Sequence, residues 1–301
     1  MRSMERRHTH FGPILCLGVT AILALSAASP HAAEPSTKSR AAPARIVSLN
    51  LCTDELVLQL ADRSKIASIT WLSRDPISAN VVDLAADVPI NHGLAEEIIP
   101  LNPDLIVAGT FTARTAVAML KQTGFPVTEF SVARNIDDVR KGIRKMAALV
   151  GEPARGEALV ASFDQRLASV GTTVPVRRPT ALVFNANGFT VGAGTLVDDI
   201  MTRAGLDNVA AHMNLGNYTQ VPLETVVRSD VDVLIISARR DGPPSLATAL
   251  LDHPVLAKLS PKTHIVILPT NLWSCGGPEV AEAIARLRAV ADDIRNGKAS
   301  Q

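Results

Sequence analysis

The sequence predicts an α/β protein with two lobes of parallel β-sheet flanked by helices, and three observations predict it. Short β-branched runs alternate with helical patterns in both halves of the chain. That alternation places parallel strands in a sheet and helices on its faces. Between the halves, from Ile136 to Val170, helical periodicity stands alone. One short pattern also occurs twice. Glu96 and Glu224 are each followed by two apolar residues at the second and third positions, by Asp104 or Asp232, and then by an apolar run. Both pairs lie 128 residues apart, as two related lobes would place them.

The elements follow in order. Arg45 to Leu49 reads as a buried strand, and Cys52 to Ala61 as a helix with Asn50 or Thr53 near its cap. Lys65 to Thr70 is a strand, as is Asp104 to Gly109. Thr112 to Thr123 is a helix and Val127 to Ser131 a strand. Ile136, Val139, Ile143, Met146, Ala147 and Val150 share one helical face, which Gly151 and Pro153 end. Leu159, Val160, Phe163, Leu167 and Val170 share a face of the next helix, from Ala154. Beyond a loop over Gly171 to Pro179, alternation resumes. Thr180 to Ala186, Val231 to Ser237 and His264 to Pro269 read as strands. Leu196 to Gly205, Leu246 to Leu259 and Pro278 to about Asn296 read as helices.

The first residues stand outside this fold. Arg2, Arg6 and Arg7 precede an apolar run from Ile14 to Ala28. Cleavage points follow at Ser26-Ala27-Ala28 and His31-Ala32-Ala33. This is the layout of a secretory signal peptide, and the run is short of the roughly 20 residues that span a bilayer. Cys16 stands at the start of the run, not at its end where a lipid-anchored protein would need it. The predicted organisation is a signal peptide over 1–33, a linker over 34–44, an N-terminal α/β lobe over 45–150, a connector helix over 151–172 and a C-terminal α/β lobe over 173–301. Export predicts a soluble, monomeric periplasmic protein.

Removing residues 1–33 turns the formal charge from +1 to −1. No basic block remains to follow a phosphate backbone, so nucleic acid is not an expected partner. No cluster has zinc or calcium spacing, and neither a metal nor a cofactor is expected. His92 stands alone in a loop, where a structural or solvated role is favoured over metal ligation. Cys52 and Cys275 remain after cleavage, an even pair in an oxidising compartment and hence a disulfide candidate. Two unconnected buried thiols are the alternative.

RIVSLNLCTDELVLQL, KIASIT and GLAEEIIPLNPDLIVAG, then VPLETVVRSDVDVLIIS and PTNLWSCGGPEVAEAIARL, resemble in order and spacing the periplasmic binding proteins for cobalamin and ferric siderophores. The resemblance covers roughly residues 44 to 295. It implies two lobes joined by a long rigid connector helix, with a ligand cleft between them. It implies a substrate-binding protein, not an enzyme, that hands a metal chelate to an inner-membrane ABC permease dimer. A ferric siderophore is favoured over a corrinoid or haem, because only nine aromatic residues remain to stack on a flat macrocycle. The alternatives are a periplasmic thiol enzyme or hydrolase using Cys52, and a ligand-binding sensor subunit.

Ligands of open α/β sheets lie beyond the carboxyl ends of strands. That rule puts Asn50, Cys52, Thr53, Trp71, Arg74, Thr110 and Phe111 of the first lobe at the cleft. From the second it takes Asn185, Asn187, Phe189, Arg239, Asn271, Leu272, Trp273 and Ser274. A Cys52–Cys275 bond would tie the lobes at the cleft floor. The resemblance also implies one acidic docking residue per lobe, facing permease arginines, and the repeated pattern points to Glu96 and Glu224.

Overall fold

The computed structural model describes residues 42–171, 177–213, 215–237, 246–259 and 262–297. The segment read as a signal peptide, most of the one read as a linker, and Arg239 lie outside the described residues.

The first lobe holds β1 (Ile46–Ser48), α1 (Leu51–Leu60), β2 (Ile66–Thr70), α2 (Val82–Ala85), β3 (Ile90–Asn91), α3 (Ala95–Ile98), β4 (Leu105–Gly109), α4 (Arg114–Gln122) and β5 (Val127–Phe130). Its strands form one sheet in the order β3-β2-β1-β4-β5, with every pair parallel. The central strands are apolar on both faces because helices cover both. Asn50 starts α1 by accepting the Cys52 amide on Oδ1 at 3.0 Å, which satisfies one of the helix's free amides.

Two long helices follow, α5 (Ile136–Val150) and α6 (Pro153–Val170). The Asn135 side chain caps α5 through the Asp138 amide at 2.9 Å. Gly151 ends it in the left-handed region at φ 83°, where a residue without Cβ is favoured. Pro153 opens α6, where its missing N–H costs nothing.

The second lobe holds β6 (Thr180–Val183), β7 (Phe189–Val191), α7 (Leu196–Arg203), β8 (Asp207–Asn208), β9 (Tyr218–Gln220), α8 (Leu223–Arg228), β10 (Val233–Ser237), α9 (Leu246–Ala249), α10 (Pro254–Leu259), β11 (His264–Leu268) and α11 (Val280–Arg295). Its parallel sheet runs β11-β10-β6-β8, and β7 pairs with β9 as an antiparallel ribbon. The helix expected over Leu246 to Leu259 is interrupted. A turn at Leu250–Asp252 separates α9 from α10, and Pro254 is the first residue of α10. Proline lacks the amide that a continuous helix needs there.

One apolar core runs through both lobes. It joins Ile46, Ile69 and Val107 of the first sheet to Val183, Val233 and Ile235 of the second. Ile143 and Met146 of α5, Phe163 of α6 and Leu287 of α11 fill the space between. Each lobe has a separate core on the opposite face of its sheet.

The repeated sequence pattern has a repeated structure. Asp104 accepts the Ala44 and Arg45 amides, each at 2.8 Å, just before β1. Asp232 accepts the Thr180 amide at 2.8 Å and the Thr180 hydroxyl at 2.9 Å, at the start of β6. Two residues before each aspartate, Asn102 and Asp230 adopt φ of 44° and 43°. In both lobes the same aspartate pins the first strand beside the strand it precedes.

Candidate ligand-binding cleft

A cavity of about 690 Å³ opens between the lobes. The first lobe contributes Thr110, Phe111 and the segment from Phe130 to Arg134. Helix α5 contributes Asp138, Lys141, Gly142 and Lys145, and the second lobe contributes Gly194, Thr195, Asn217 and Tyr218. A smaller, deeper chamber of about 150 Å³ adjoins it. Its lining includes Asn50, Cys52, Thr53, Trp273, Ser274 and Gly276. The two share Phe111, Phe130 and Tyr218, among others.

Three rings face this space. Phe111 is 76% exposed and Tyr218 is 59% exposed. Phe130 lies beneath the Lys145 ammonium, 4.2 Å from the ring centroid, and that ammonium also donates to the Glu129 carbonyl at 2.8 Å. Arg134 and Lys141 both approach Asp138, at 3.7 and 3.6 Å. Arg134 just before α5 and Lys141 and Lys145 on it thus set three cations against the one carboxylate of Asp138, so this wall suits an anionic edge of a ligand.

The floor is tied covalently. The Cys52 and Cys275 sulfurs lie 2.06 Å apart with Cα atoms separated by 5.0 Å, within the span that a disulfide bridges. The bond joins the start of α1 to the loop after β11. Close beside it, a Cβ on Gly276 would lie 2.6 Å from the Ala133 Cβ, so the lobes approach there at a distance only glycine permits. Asn80 adds a polar link across the junction, donating to the Asn271 carbonyl at 2.7 Å.

Several predicted contact residues line these chambers: Asn50, Cys52, Thr53, Thr110, Phe111, Trp273 and Ser274. Some of them are already engaged. Asn50 Nδ2 donates to Thr112 Oγ1 at 2.7 Å, Thr110 Oγ1 donates to the Phe130 carbonyl at 2.9 Å, and Thr53 Oγ1 lies 2.7 Å from Ser48 Oγ. Trp273 is only 4% exposed and belongs mainly to the core.

Other residues expected at the cleft are placed elsewhere by the structure. Arg74 turns away, its guanidinium donating to the Ala85, Ala86 and Val88 carbonyls. Asn185 Oδ1 accepts the Ser237 amide at 3.1 Å. Asn187 forms a left-handed turn at φ 57°. Phe189 pairs with Gln220, at the opposite end of the β7–β9 ribbon from Tyr218. Leu272 is buried, and Asn271 is spent on the lobe junction. None of these six lines the two chambers.

Trp71 lines a third cavity of about 490 Å³, also at the carboxyl ends of the first lobe's strands, with His92, Leu94, Glu96, Arg114 and Met119. His92 is held by Glu97, which accepts the His92 amide at 2.6 Å and lies 2.9 Å from Nδ1. Both Glu97 oxygens are thus used, and these hydrogen bonds hold its carboxyl below the usual carboxylate range. Glu96 and Glu224 are exposed in the first turns of α3 and α8. No group of three or more His, Cys, Asp or Glu side chains among the described residues could hold a metal ion.

A family model described as periplasmic binding protein matches residues 46–267. A cobalamin-binding protein of Halobacterium salinarum (strain ATCC 29341 / DSM 671 / R1) is 25% identical over 265 residues, covering 86% of this chain and 72% of that protein. The periplasmic heme-binding protein RhuT from Roseiflexus sp. RS-1, in apo form, superposes with a TM-score of 0.66 at 21% identity, over 83% of this chain and 98% of that one. The periplasmic vitamin B12 binding protein BtuF of Vibrio cholerae gives 0.67 at 19% identity, over 84% and 98%.

Proposed function

This chain belongs to the periplasmic binding protein family, and from that premise we propose that it captures a metal chelate in the periplasm and delivers it to an ABC permease dimer in the inner membrane. The observation that carries this reading is the cleft itself: an open cavity between two lobes, walled by Phe111, Phe130 and Tyr218, over a floor tied by Cys52–Cys275. Three of the nine aromatics beyond residue 33 converge on one space, so their overall scarcity does not argue against a flat ligand. Rings facing a cavity favour a planar, largely apolar surface. The ligand class is accordingly a metal tetrapyrrole, a corrinoid or haem.

A ferric siderophore is the second reading. Arg134, Lys141 and Lys145 favour it as an anionic chelate, and the same cations would suit haem propionates. Catalysis by Cys52 finds no support, because a sulfur bonded to Cys275 is not a nucleophile. In the same reading, residues 1–33 are removed on export, the lobes span 45–150 and 173–301 about the 151–172 connector, and Glu96 and Glu224 dock on the permease. Titration of the purified mature protein with haem, cobalamin and a ferric siderophore, followed by quenching of Trp71 and Trp273, tests the proposal. Saturable binding of a tetrapyrrole at micromolar concentration or below is expected. Saturation by none of the three would overturn it.

A further inference from the structure

The two segments that floor the cleft carry, a few residues further on, a pair of buried carboxyl groups across the lobe junction. Glu55 of α1 is 1% exposed. Its Oε1 accepts the backbone amide and the side-chain amide of Asn80, each at 3.0 Å. Its Oε2 has no hydrogen-bond partner, and neither has Oε2 of Glu279, the residue before α11. Both oxygens face the bare side of Gly277. A Cβ there would lie 2.6 Å from Glu279 Oε2 and 3.6 Å from Glu55 Oε2.

The charges acting on this pair are few. Asp54, on the same helix, disfavours ionisation of Glu55. Arg166 on α6 favours ionisation of Glu279. Asp54 accepts Thr70 N, Thr70 Oγ1 and Ser73 Oγ on Oδ2 alone; its Oδ1 has no partner, and burial pushes its carboxyl up to about 6 against those bonds, so it titrates beside the pair and only the Gln variants separate the two contributions. Arg166 offsets the charge of Glu279 only in part, since burial still raises its carboxyl, and simultaneous ionisation of two carboxylates in one dry junction is costly.

We propose that Glu55 and Glu279 hold a single proton between them across the lobe junction, and that losing this proton loosens the floor of the ligand cleft. The second half rests on the cleft being the ligand site. Burial first, and then the Glu279 charge, push the Glu55 carboxyl from 4.5 up to about 7, against the Asn80 hydrogen bonds; burial pushes Glu279 up as well. An acid whose folded pKa lies above its unfolded value stabilises the fold fully below the unfolded value. It loses that contribution as pH rises through the folded value. For Glu55 the window runs from 4.5 to about 7. Cys52, Thr53, Ser274 and Gly276 line the chamber directly above, so the same rise in pH weakens the bound state.

The test compares wild type with Glu279→Gln and Glu55→Gln. Thermal midpoints are followed from about pH 5 to about pH 8, with an infrared difference spectrum at about pH 6, where ordinary carboxyls are ionised. The wild type is expected to lose stability across this range and each Gln variant to lose markedly less. The wild type is also expected to show the C=O stretch of an undissociated carboxyl that Glu279→Gln alters or removes. Haem or cobalamin affinity should fall at least fivefold more over that range in wild type than in Glu279→Gln. Superimposable pH profiles would overturn the proposal. So would a wild-type spectrum without an undissociated carboxyl, a measurement that stands even if the variants fail to fold. The stability and infrared measurements need no ligand. Failure to bind any chelate would therefore count against the functional reading while leaving the shared proton intact.

Discussion

Breaking the Cys52–Cys275 bond by Cys52→Ser with Cys275→Ser removes the one covalent tie across the cleft floor. The cysteines are 223 residues apart in sequence, so the bond closes a loop containing nearly the whole fold. The chain-entropy relation gives about 5 kcal/mol for such a loop, and native disulfides commonly deliver roughly 2–4 kcal/mol. With a urea slope of about 1–3 kcal/mol per molar, the midpoint should fall by about 1 M or more. The slope itself should rise, because the uncrosslinked denatured chain is more expanded. Urea unfolding of the oxidised protein, the reduced protein and the double variant measures both quantities. Ligand dissociation should quicken in parallel, since Cys52 lines the inner chamber. Equal midpoints for oxidised and reduced protein would refute the reasoning. So would peptide mass analysis in which both cysteines of the untreated protein react with an alkylating agent.

The remaining predictions rest on single side chains. Phe111→Ala should weaken chelate binding by about 10- to 100-fold, the loss from roughly 1.5–3 kcal/mol of apolar burial; its melting temperature should stay close to wild type, because Phe111 is 76% exposed in the unliganded fold. Glu96→Ala with Glu224→Ala should abolish uptake in transport assays while leaving chelate affinity intact, and each single variant should weaken permease binding in a salt-dependent way. Uptake at the wild-type rate in the double variant would dismiss the docking assignment. Asp232→Ala should cost about 1–2 kcal/mol in chemical denaturation by freeing the Thr180 amide and hydroxyl, and Asp104→Ala, which frees two backbone amides, should cost a comparable amount if the two lobes are equivalent.

The lobe-and-connector architecture was legible in the sequence because it is written in local periodicity. The faces of α5 and α6 could be read residue by residue, and the long central strands announced themselves as apolar runs. The repeated Glu and Asp pointed to two related lobes; that Asp104 and Asp232 cap matching strands is seen only in the structure. The two-residue strands β3 and β8 were not legible, because they are too short to establish a period and exist only where a neighbouring strand supplies hydrogen bonds.

The cleft lining was legible mainly in the first lobe, with Trp273 and Ser274 from the second. The rule of strand ends located Asn50, Thr110 and Phe111, since those positions follow directly from chain direction. It overlooked Lys141 and Lys145, whose place on the polar face of α5 could have been noticed but whose neighbour across the gap could not. It also overlooked Tyr218, the chain's single tyrosine. Arg74 and Asn185, which the same rule named, are engaged by backbone groups outside the chambers, because a polar side chain at a strand end goes to whichever unpaired backbone group lies within reach. The sequence alone thus determined which segments are strands and helices and that two related lobes stand either side of a helical pair. Only the tertiary structure decided which side chains come together between the lobes: Cys52 bonded to Cys275, Glu55 and Glu279 on either side of Gly277, Phe111 and Tyr218 lining one cavity. Those pairings join residues far apart along the chain, and no local pattern encodes which surface of one lobe will face the other.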